Sequence, residues 1–249
     1  MILAEQSWTK IRDLLDGSRP VVALLPCGAT EAHGPHLPLN TDVIISEGMA
    51  RRAVPLLAAK AIAALILPPL AYAPADCAAA FPGTLTVSAV AARQIILDIA
   101  SGLKQQGFAC LALANSHFDP ANVAMLRDAA EGARGCGLPI AFPDFTRRKL
   151  AQLLTDEFIS GACHAGQYET SLVMADQPML VDENMRHMLA DNPSSLVAAF
   201  AHGATNFTDA GGPDAYFGSP AKATMAEGNA SYAVMATILA DTVIESLLH

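Results

Sequence analysis

Two short stretches of the sequence combine imidazole and carboxylate side chains at a spacing of two residues. Glu31 and His33 stand in the first stretch and His117 and Asp119 in the second, each just after an apolar run. Asp42 follows the first pair after a turn rich in glycine and proline. Side chains two residues apart in extended backbone leave on the same side. An imidazole and a carboxylate from each stretch, with Asp42 as a bridging carboxylate, predict a site for two divalent cations.

A structural interpretation of the same residues stays open. Asn115, Ser116 and Asp119 also suit a turn that caps a helix, because an aspartate before Pro120 is favourable at a helix start. On that interpretation the second stretch holds no metal, and the first stretch is only a polar, capped loop.

A third polar cluster covers residues 164–171 and adds His164 and Glu169. Gly166 is a suitable start for a helix, and Glu169 would then lie in its first turn, where a carboxylate complements the helix dipole. His164, just before that start, is placed either to reach a neighbouring site or to hydrogen-bond to backbone as a structural histidine.

The elements that must position these residues alternate apolar strands with helical patterns, which is typical of βαβ units and a mainly parallel sheet. We therefore expect an α/β fold, a mainly parallel central sheet flanked by helices, in a single domain over residues 1–249. The polar stretches follow the ends of strands, where ligands collect in open parallel sheets. The predicted strands cover residues 21–25, 63–67, 84–87, 109–114 and 139–142. The predicted helices cover residues 7–15, 43–58, 89–106, 121–133, 146–158 and 223–248, the last with Thr224 as its cap.

Composition excludes several classes of partner. The chain has 249 residues, 52% of them hydrophobic, and a formal net charge of −9. Its one basic cluster is residues 147–149, which argues against nucleic acid and anionic membranes as partners. The sequence has no 18-residue apolar run without charge and no secretory signal at its start, so we expect a cytoplasmic protein with a small-molecule substrate.

The five cysteines are odd in number and lack CxxC spacing, so we expect reduced thiols. They are Cys27, Cys77, Cys110, Cys136 and Cys163. A nucleophilic role for Cys27 or Cys163, which lie next to the polar clusters, is an alternative to metal chemistry. Buried cysteine more often serves as a small hydrophobic residue.

Four motifs in order carry a family resemblance over roughly residues 20–230. They are GATEAHGPHLPLNTD at 28–42, FPGTL at 81–85, NSHFDP at 115–120 and HAGQYETS at 164–171. Together they resemble the creatininase (creatinine amidohydrolase) family. The resemblance implies a compact α/β fold and a homohexamer.

The resemblance also implies a set of metal ligands. Glu31, Asp42 and His117 would hold one ion. His33, Asp42 and Asp119 would hold the other, so that Asp42 bridges the two. The ions implied are Zn²⁺ and/or Mn²⁺.

Two further residues are expected to take part in catalysis, His164 and Glu169. His164 matches the histidine to which the family assigns proton transfer. Asp119 stands where creatininase itself carries glutamate and many relatives carry glycine, so Glu169 is the other candidate to complete the second metal site.

The departures from the family pattern concern the substrate. The only tryptophan is Trp8, residues 160–163 lack the tryptophan that creatininase carries there, and Phe118 replaces a substrate-contacting tyrosine. We therefore expect a divergent amidohydrolase that cleaves a small, cyclic amide with a hydroxide shared by two ions, and not creatinine itself. Hydrolysis of a keto-cyclitol, lactone or formamide, cofactor-maturation peptidase activity, or a non-catalytic metal-binding subunit are the alternatives.

Overall fold

The apolar runs of the sequence form four parallel strands in the computed structural model, which describes residues 1–135 and 137–248. The strands are β1 (Val21–Cys27), β2 (Ala63–Ile66), β3 (Cys110–Asn115) and β4 (Ile140–Ala141). Their order across the sheet is β2-β1-β3-β4, so β1 has a neighbour on each side. Val22 of β1 pairs with Ala64 of β2 and with Cys110 of β3. The expected α/β fold with a parallel central sheet is confirmed.

Helices connect the strands and cover both faces of the sheet. They are α1 (Trp8–Leu15), α2 (Thr41–Ala58), α3 (Ala89–Gln106), α4 (Pro120–Gly135), α5 (Arg148–Ala151), α6 (Asp156–Ser160), α7 (Gln167–Asp176), α8 (Glu183–Met188), α9 (Leu196–Ala201) and α10 (Met225–Ser246). Short 3₁₀ turns lie at Leu3–Glu5, Asp76–Ala78, Pro178–Leu180 and Pro220–Lys222.

The two faces of the sheet have separate apolar cores. Successive side chains of a strand point to opposite faces. Val22 and Leu24 therefore pack with α2, α7 and α10, whereas Ala23 and Leu25 pack with α3 and α4. Each fully buried Val or Leu side chain contributes roughly 1.5–3 kcal/mol of transfer free energy. Burial on both faces explains why β1 and β3 are apolar throughout.

The predicted strand at residues 84–87 is wrong, because this segment uses its polar groups to fix neighbouring loops. The Leu85 N–H donates to the carbonyl of Thr30 at 2.9 Å. The hydroxyl of Thr84 accepts from the Ala32 N–H, and that of Thr86 accepts from the Ala75 N–H, both at 3.0 Å.

The single helix predicted over residues 146–158 is also wrong, because two shorter helices, α5 and α6, replace it. The chain turns between them, and the hydroxyl of Thr155 accepts from the Phe158 N–H at 3.3 Å. Thr155 thereby caps a new helix start, as threonine favours.

Two helix starts bear on the site and on the sequence predictions. Helix α2 begins at Thr41, earlier than predicted, so Asp42 lies in its first turn. Helix α10 begins at Met225, and the hydroxyl of Thr224 accepts from the Glu227 N–H at 3.2 Å. The predicted cap at Thr224 is confirmed.

Four cysteines lie in the part of the chain that the structure describes, and all four are free thiols: Cys27, Cys77, Cys110 and Cys163. The prediction for Cys136 falls outside the described residues. Within those residues, the helices are all too short or too polar to cross a lipid bilayer.

Candidate metal centre

The centre forms where β1 and β3 end side by side. Cys27 and Asn115, the last residues of these strands, pair across the sheet. The chain after β1 must then pass the start of α2 at very close range. A Cβ atom on Gly28 would lie only 2.8 Å from the Cβ of Asp42, so glycine is required at this position.

Asp42 is fixed between the loops that follow the two strands. Its Oδ2 accepts a hydrogen bond from the Ala29 N–H at 3.2 Å. The hydroxyl of Ser116 donates to its main-chain carbonyl at 2.5 Å. Its position in the first turn of α2 directs the carboxylate beyond the carboxyl edge of the sheet, where both loops contribute side chains.

Six buried side chains meet at this edge and form three overlapping groups of potential metal ligands. The groups are Glu31, Asp42 and His117; His33, Asp42 and Glu169; and Glu31, His33 and His164. Within each group the ligand atoms lie within 4.8 Å of one another. Asp42 belongs to two of the three groups, one with His117 and the other with His33.

The shortest distances join the imidazoles to the carboxylates. Nδ1 of His117 lies 3.2 Å from Oε1 of Glu31 and 3.1 Å from Oδ2 of Asp42. Nε2 of His33 lies 3.3 Å from Oδ1 of Asp42 and 3.6 Å from Oε2 of Glu169. The two oxygens of Asp42 thus face different histidines, as a bridging carboxylate would.

Each histidine is oriented by a hydrogen bond to a main-chain carbonyl. Nδ1 of His33 donates to the carbonyl two residues before it at 3.1 Å. Nε2 of His117 donates to Pro74 at 2.7 Å, and Nε2 of His164 donates to Ala32 at 3.0 Å. These bonds occupy one ring nitrogen and leave the other directed into the centre, the arrangement that metal-binding histidines use.

Interactions with nearby carboxylates set the pKa values of His33 and His117. Burial lowers the pKa of His33, but the carboxylates of Asp42, Glu169 and Glu31 outweigh burial and raise it to about 10. Burial also opposes the charged form of His117, and Glu31 and Asp42 nevertheless raise its pKa well above the usual value. Burial raises the pKa of Asp42, but the two histidines lower it by more. Protons on the imidazoles therefore balance part of the buried negative charge.

The remaining carboxylate and imidazole shift in the opposite sense. Burial, together with the charges of Asp42 and Glu31, raises the pKa of Glu169 to about 8. Its Oε2 accepts from the Ala165 N–H at 2.7 Å. Burial and the neighbouring charge of His33 lower the pKa of His164 well below its usual value. The centre thus contains three carboxylates, and carboxylates favour the charged form of only two of its three imidazoles.

Divalent cations fit this donor set. Oε2 of Glu31 and Nε2 of His33 are buried and have no hydrogen-bond partner among the described residues. An unpaired buried polar atom costs about 1–3 kcal/mol, so both atoms call for a ligand. A dication would supply the missing partner of both atoms, and mixed imidazole and carboxylate ligands suit Zn²⁺ and Mn²⁺.

Asp119 lies at the same cavity but joins none of the three groups. Its Oδ1 accepts from the Ala121 N–H at 2.8 Å, which caps α4, and its Oδ2 accepts from the Cys77 N–H at 3.1 Å. Glu169 takes the position beside His33 and Asp42. The geometry therefore favours Glu169 over Asp119 as the third ligand of a second ion, and the full ligand set stays a prediction.

The cavity lined by five of these six side chains, all but His33, is small, with a volume of about 50 Å³. Its walls are Cys77, Phe118, Asp119, Cys163, Leu196, Phe200 and Phe207. Burial and nearby carboxylates raise the pKa values of the Cys77 and Cys163 thiols, and burial raises that of Cys27 to about 12. Thiols of this kind are poor nucleophiles, which argues against the cysteine alternative.

Sequence reasoning missed the aromatic and aliphatic residues of the wall that follow α8. The ring of Phe207 lies with its centroid 4.3 Å from that of His164. Leu196 and Phe200 come from α9. Apolar residues in a short helix and in the loop after it carry no spacing signal that separates a cavity wall from ordinary packing, so only the fold identifies them.

Sequence reasoning also missed Glu157, which supports the turn that carries His164. Its Oε1 accepts from the Tyr168 N–H at 2.8 Å and its Oε2 from the Ser219 N–H at 2.7 Å. A Cβ atom on Gly166 would lie 2.6 Å from the Phe217 carbonyl, so this turn tolerates only glycine there.

Comparison with known proteins gives one family. A family model described as "Creatininase: Creatinine amidohydrolase" matches residues 4–243. A mycofactocin precursor peptide peptidase of Mycolicibacterium smegmatis is 28% identical over 230 residues, covering 89% of this chain and 84% of that protein. A creatinine amidohydrolase of Pseudomonas putida is 29% identical over 177 residues, covering 65% of this chain and 66% of the other.

Solved structures share the fold over nearly the whole chain. A structure named "Creatininase Mn" superposes with a TM-score of 0.76 at 25% identity, covering 98% of this chain and 97% of the other.

Proposed function

The chain belongs to the creatininase family and is a hydrolase of that family, and from this premise we propose that it cleaves a small amide at a pair of divalent cations. The bond cleaved is a carbon–nitrogen bond, most naturally in a cyclic amide. One observation carries the proposal. Asp42 presents one carboxylate oxygen to His117 and the other to His33, and a second carboxylate accompanies each histidine.

The proposed first site uses Glu31, Asp42 and His117, and the proposed second site uses His33, Asp42 and Glu169. Nitrogen and oxygen ligands of this kind suit Zn²⁺ or Mn²⁺. Manganese is supported by the likeness to the structure named for that metal. Bound divalent cations would supply an activated water and polarise the scissile carbonyl.

The chain's own residues then position the reactants and move the proton. Asp42 and the two flanking histidines are held by the hydrogen bonds described above, so the centre is organised before any substrate arrives. His164 keeps a proton on Nε2, which donates to the Ala32 carbonyl, and its Nδ1 faces Glu31 at 3.8 Å. Burial lowers its pKa and keeps it neutral. His164 accepts a proton at Nδ1 and transfers it to the departing nitrogen.

A peptidase activity is a second candidate, because curated relatives that cover most of the chain are named as peptide peptidases. The cavity of about 50 Å³ favours the small amide, since an extended peptide needs more space. Lactones, formamides and keto-cyclitols present the same kind of electrophilic carbon and belong in the same substrate panel.

The test replaces Asp42 with Ala and measures metal content and turnover together. Because Asp42 contributes to both proposed sites, D42A is expected to lose at least one of two ions and at least about 10³-fold in kcat. Metal content is measured by plasma mass spectrometry, and turnover on lactams, hydantoins, formamides, lactones and short peptides.

The matched control is Asp241→Ala, which removes an exposed carboxylate from α10 and is expected to behave as wild type. Full metal content with unchanged turnover in D42A would contradict the proposal. Two bound ions in the wild-type protein without turnover on any compound of the panel would favour a metal-binding subunit instead.

A further inference from the structure

One excursion of the chain closes the cavity, and we call residues 193–217 the cover segment. It leaves and returns through an antiparallel bridge between Asn192 and Gly218, whose main chains pair at 2.8 Å and 2.5 Å. The side-chain amide of Asn192 also donates to the carbonyls of Gly211 and Tyr216, both at 3.0 Å. The cover segment is therefore closed at its base and does not take part in the sheet.

The cover segment presents three apolar side chains to the cavity. Leu196 and Phe200 project from α9, and Phe207 comes from the loop behind it. These residues belong to an apolar cluster that is separate from both cores of the sheet. Val197 of the same helix is 70% exposed and does not line the cavity, so α9 has one face toward the site and another toward solvent.

Main-chain hydrogen bonds attach the cover segment to the walls of the centre. The Phe207 N–H donates to the main-chain carbonyl of Cys77 at 2.9 Å, and the Leu196 N–H donates to the carbonyl of Gly161 at 2.8 Å. The Phe217 N–H donates to the carbonyl of His164 at 2.8 Å. These bonds hold the backbone of the cover segment next to the turn that carries His164, the residue proposed to move the proton.

Apart from the imidazoles of the centre, the described residues that line the cavity include no cationic side chain that could pair with a substrate carboxylate. Among the described residues that line it, none is a lysine or arginine, and the floor consists of carboxylates and histidines. Transfer of an uncompensated charge to such a surface is strongly unfavourable. A volume of about 50 Å³ lies far below the roughly 300 Å³ of a pocket for a drug-sized ligand.

We propose that Leu196, Phe200 and Phe207 determine substrate specificity by binding a small, uncharged, apolar group next to the scissile carbonyl. This inference rests on the proposed function, because it takes the carbonyl to bind at the cation pair. The substrate class is a small amide whose acyl side is aliphatic, and carboxylate-bearing analogues are rejected.

The test measures binding of hydroxamic acids, which chelate metal ions and carry the acyl group to be probed. The manganese-loaded protein is titrated calorimetrically with aceto-, propiono- and butyrohydroxamic acid and with succinic monohydroxamic acid. The last compound carries a carboxylate in place of the terminal methyl of butyrohydroxamic acid. Affinity is expected to rise up to about fourfold per added methylene, the value for full burial of that group, and to fall at least tenfold for the carboxylate.

Variants locate the effect on the cover segment. Phe200→Ala is expected to bind butyrohydroxamic acid about tenfold more weakly and acetohydroxamic acid nearly as wild type. Val197→Ala, on the exposed face of the same helix, is expected to match wild type throughout. Phe200→Leu keeps an apolar surface and tests the same contact if the alanine variant does not fold.

The outcomes separate the two proposals. Failure of the protein to bind either manganese or zinc would refute the proposed function and this inference with it. A metal-loaded protein that binds no hydroxamate, binds all four equally, or is insensitive to both Phe200 variants would overturn the inference and leave the metal centre intact.

Discussion

At the scale of single residues, His164 differs from the other two histidines of the centre in the direction of its pKa shift. Carboxylates hold the pKa values of His33 and His117 above the ordinary value, whereas burial and the positive charges of His33 and His117 lower the pKa of His164. A neutral imidazole beside two cationic or metal-bound neighbours is suited to accept a proton. We therefore predict that His33 and His117 bind the cations and that His164 transfers the proton.

We predict that His164→Gln keeps the bound metals and loses turnover. The Gln amide can still donate to the Ala32 carbonyl in place of Nε2, but it has no counterpart of Nδ1. Loss of a positioned acid–base group lowers kcat by about 10²–10⁴-fold. Metal analysis and steady-state kinetics check this, and a variant that loses its metals along with turnover would show a ligand role instead.

His36, a buried histidine outside the proposed ligand set, provides a pH-dependent prediction. It is buried, with Nε2 at 2.9 Å from the Thr170 hydroxyl and Nδ1 without a hydrogen-bond partner among the described residues. Burial, with the charges of His33 and Arg186, lowers the pKa of His36 from 6.5 to about 4. Between about pH 4 and pH 6.5, His36 carries a proton in the unfolded chain but not in the folded protein. Stability therefore falls as the pH falls through this window.

We predict that His36→Gln weakens this pH dependence. Its free energy of unfolding is expected to decline less between pH 7 and pH 4.5 than that of wild type, by up to about 3 kcal/mol. Urea denaturation of both proteins at each pH measures the difference. His202→Gln, at an exposed histidine beyond α9, is the control and should decline as wild type does. Equal declines in H36Q and wild type would exclude the assigned role.

Local spacing predicted most of the polar centre but not which carboxylate takes part. Glu31 and His33 lie two residues apart after β1, and Asp42 follows a short turn, so local patterns were sufficient to group them. The spacing of His117 and Asp119 is the same, yet the carboxylate of Asp119 accepts hydrogen bonds from two backbone N–H groups. One of these belongs to Cys77, a non-local partner that no pattern around Asp119 indicates.

At the scale of secondary-structure elements, the start of α7 depends on a carboxylate from α6. Glu157 accepts from two backbone N–H groups, at the first turn of α7 and at Ser219. The adjoining Ala165 has a φ of 50°, which is uncommon for a residue other than glycine. Glu157 thus holds in place a turn that carries His164 on one side and Glu169 on the other.

We predict that Glu157→Gln destabilises the protein by about 1–3 kcal/mol, because an amide can accept at only one of the two positions. Chemical denaturation measures the loss. Asp156→Asn, at the exposed neighbouring position of α6, should change stability by less than about 0.5 kcal/mol. A similar effect of both substitutions would point to the helix dipole of α6 and not to the contacts of Glu157.

The strands and long helices were predictable because their signals are local and periodic. β1 and β3 are uninterrupted apolar runs, and the predicted range of α3 agrees with the observed Ala89–Gln106. The errors at residues 84–87 and 146–158 have a different origin. In both segments, threonine hydroxyls accept hydrogen bonds from backbone N–H groups and interrupt the predicted strand or helix. The sequence alone does not identify which threonine finds such a donor.

At the scale of the whole molecule, the family resemblance leads us to predict a homohexamer. A single chain has a mass of 25.9 kDa, so sedimentation equilibrium should give a particle about six times as heavy. A monomer at micromolar concentration would contradict this prediction. The expectation of one domain over residues 1–249 likewise stays a prediction, which limited proteolysis can check.

The closed base of the cover segment has a consequence for how such a catalyst diversifies. The cover segment begins and ends at the paired main chains of Asn192 and Gly218. Another stretch of chain with the same two anchor points could therefore replace it while the sheet, its helices and the proposed metal ligands stay unchanged. We therefore expect that changes in this one loop can alter which substrate binds while the proposed metal ligands stay in place.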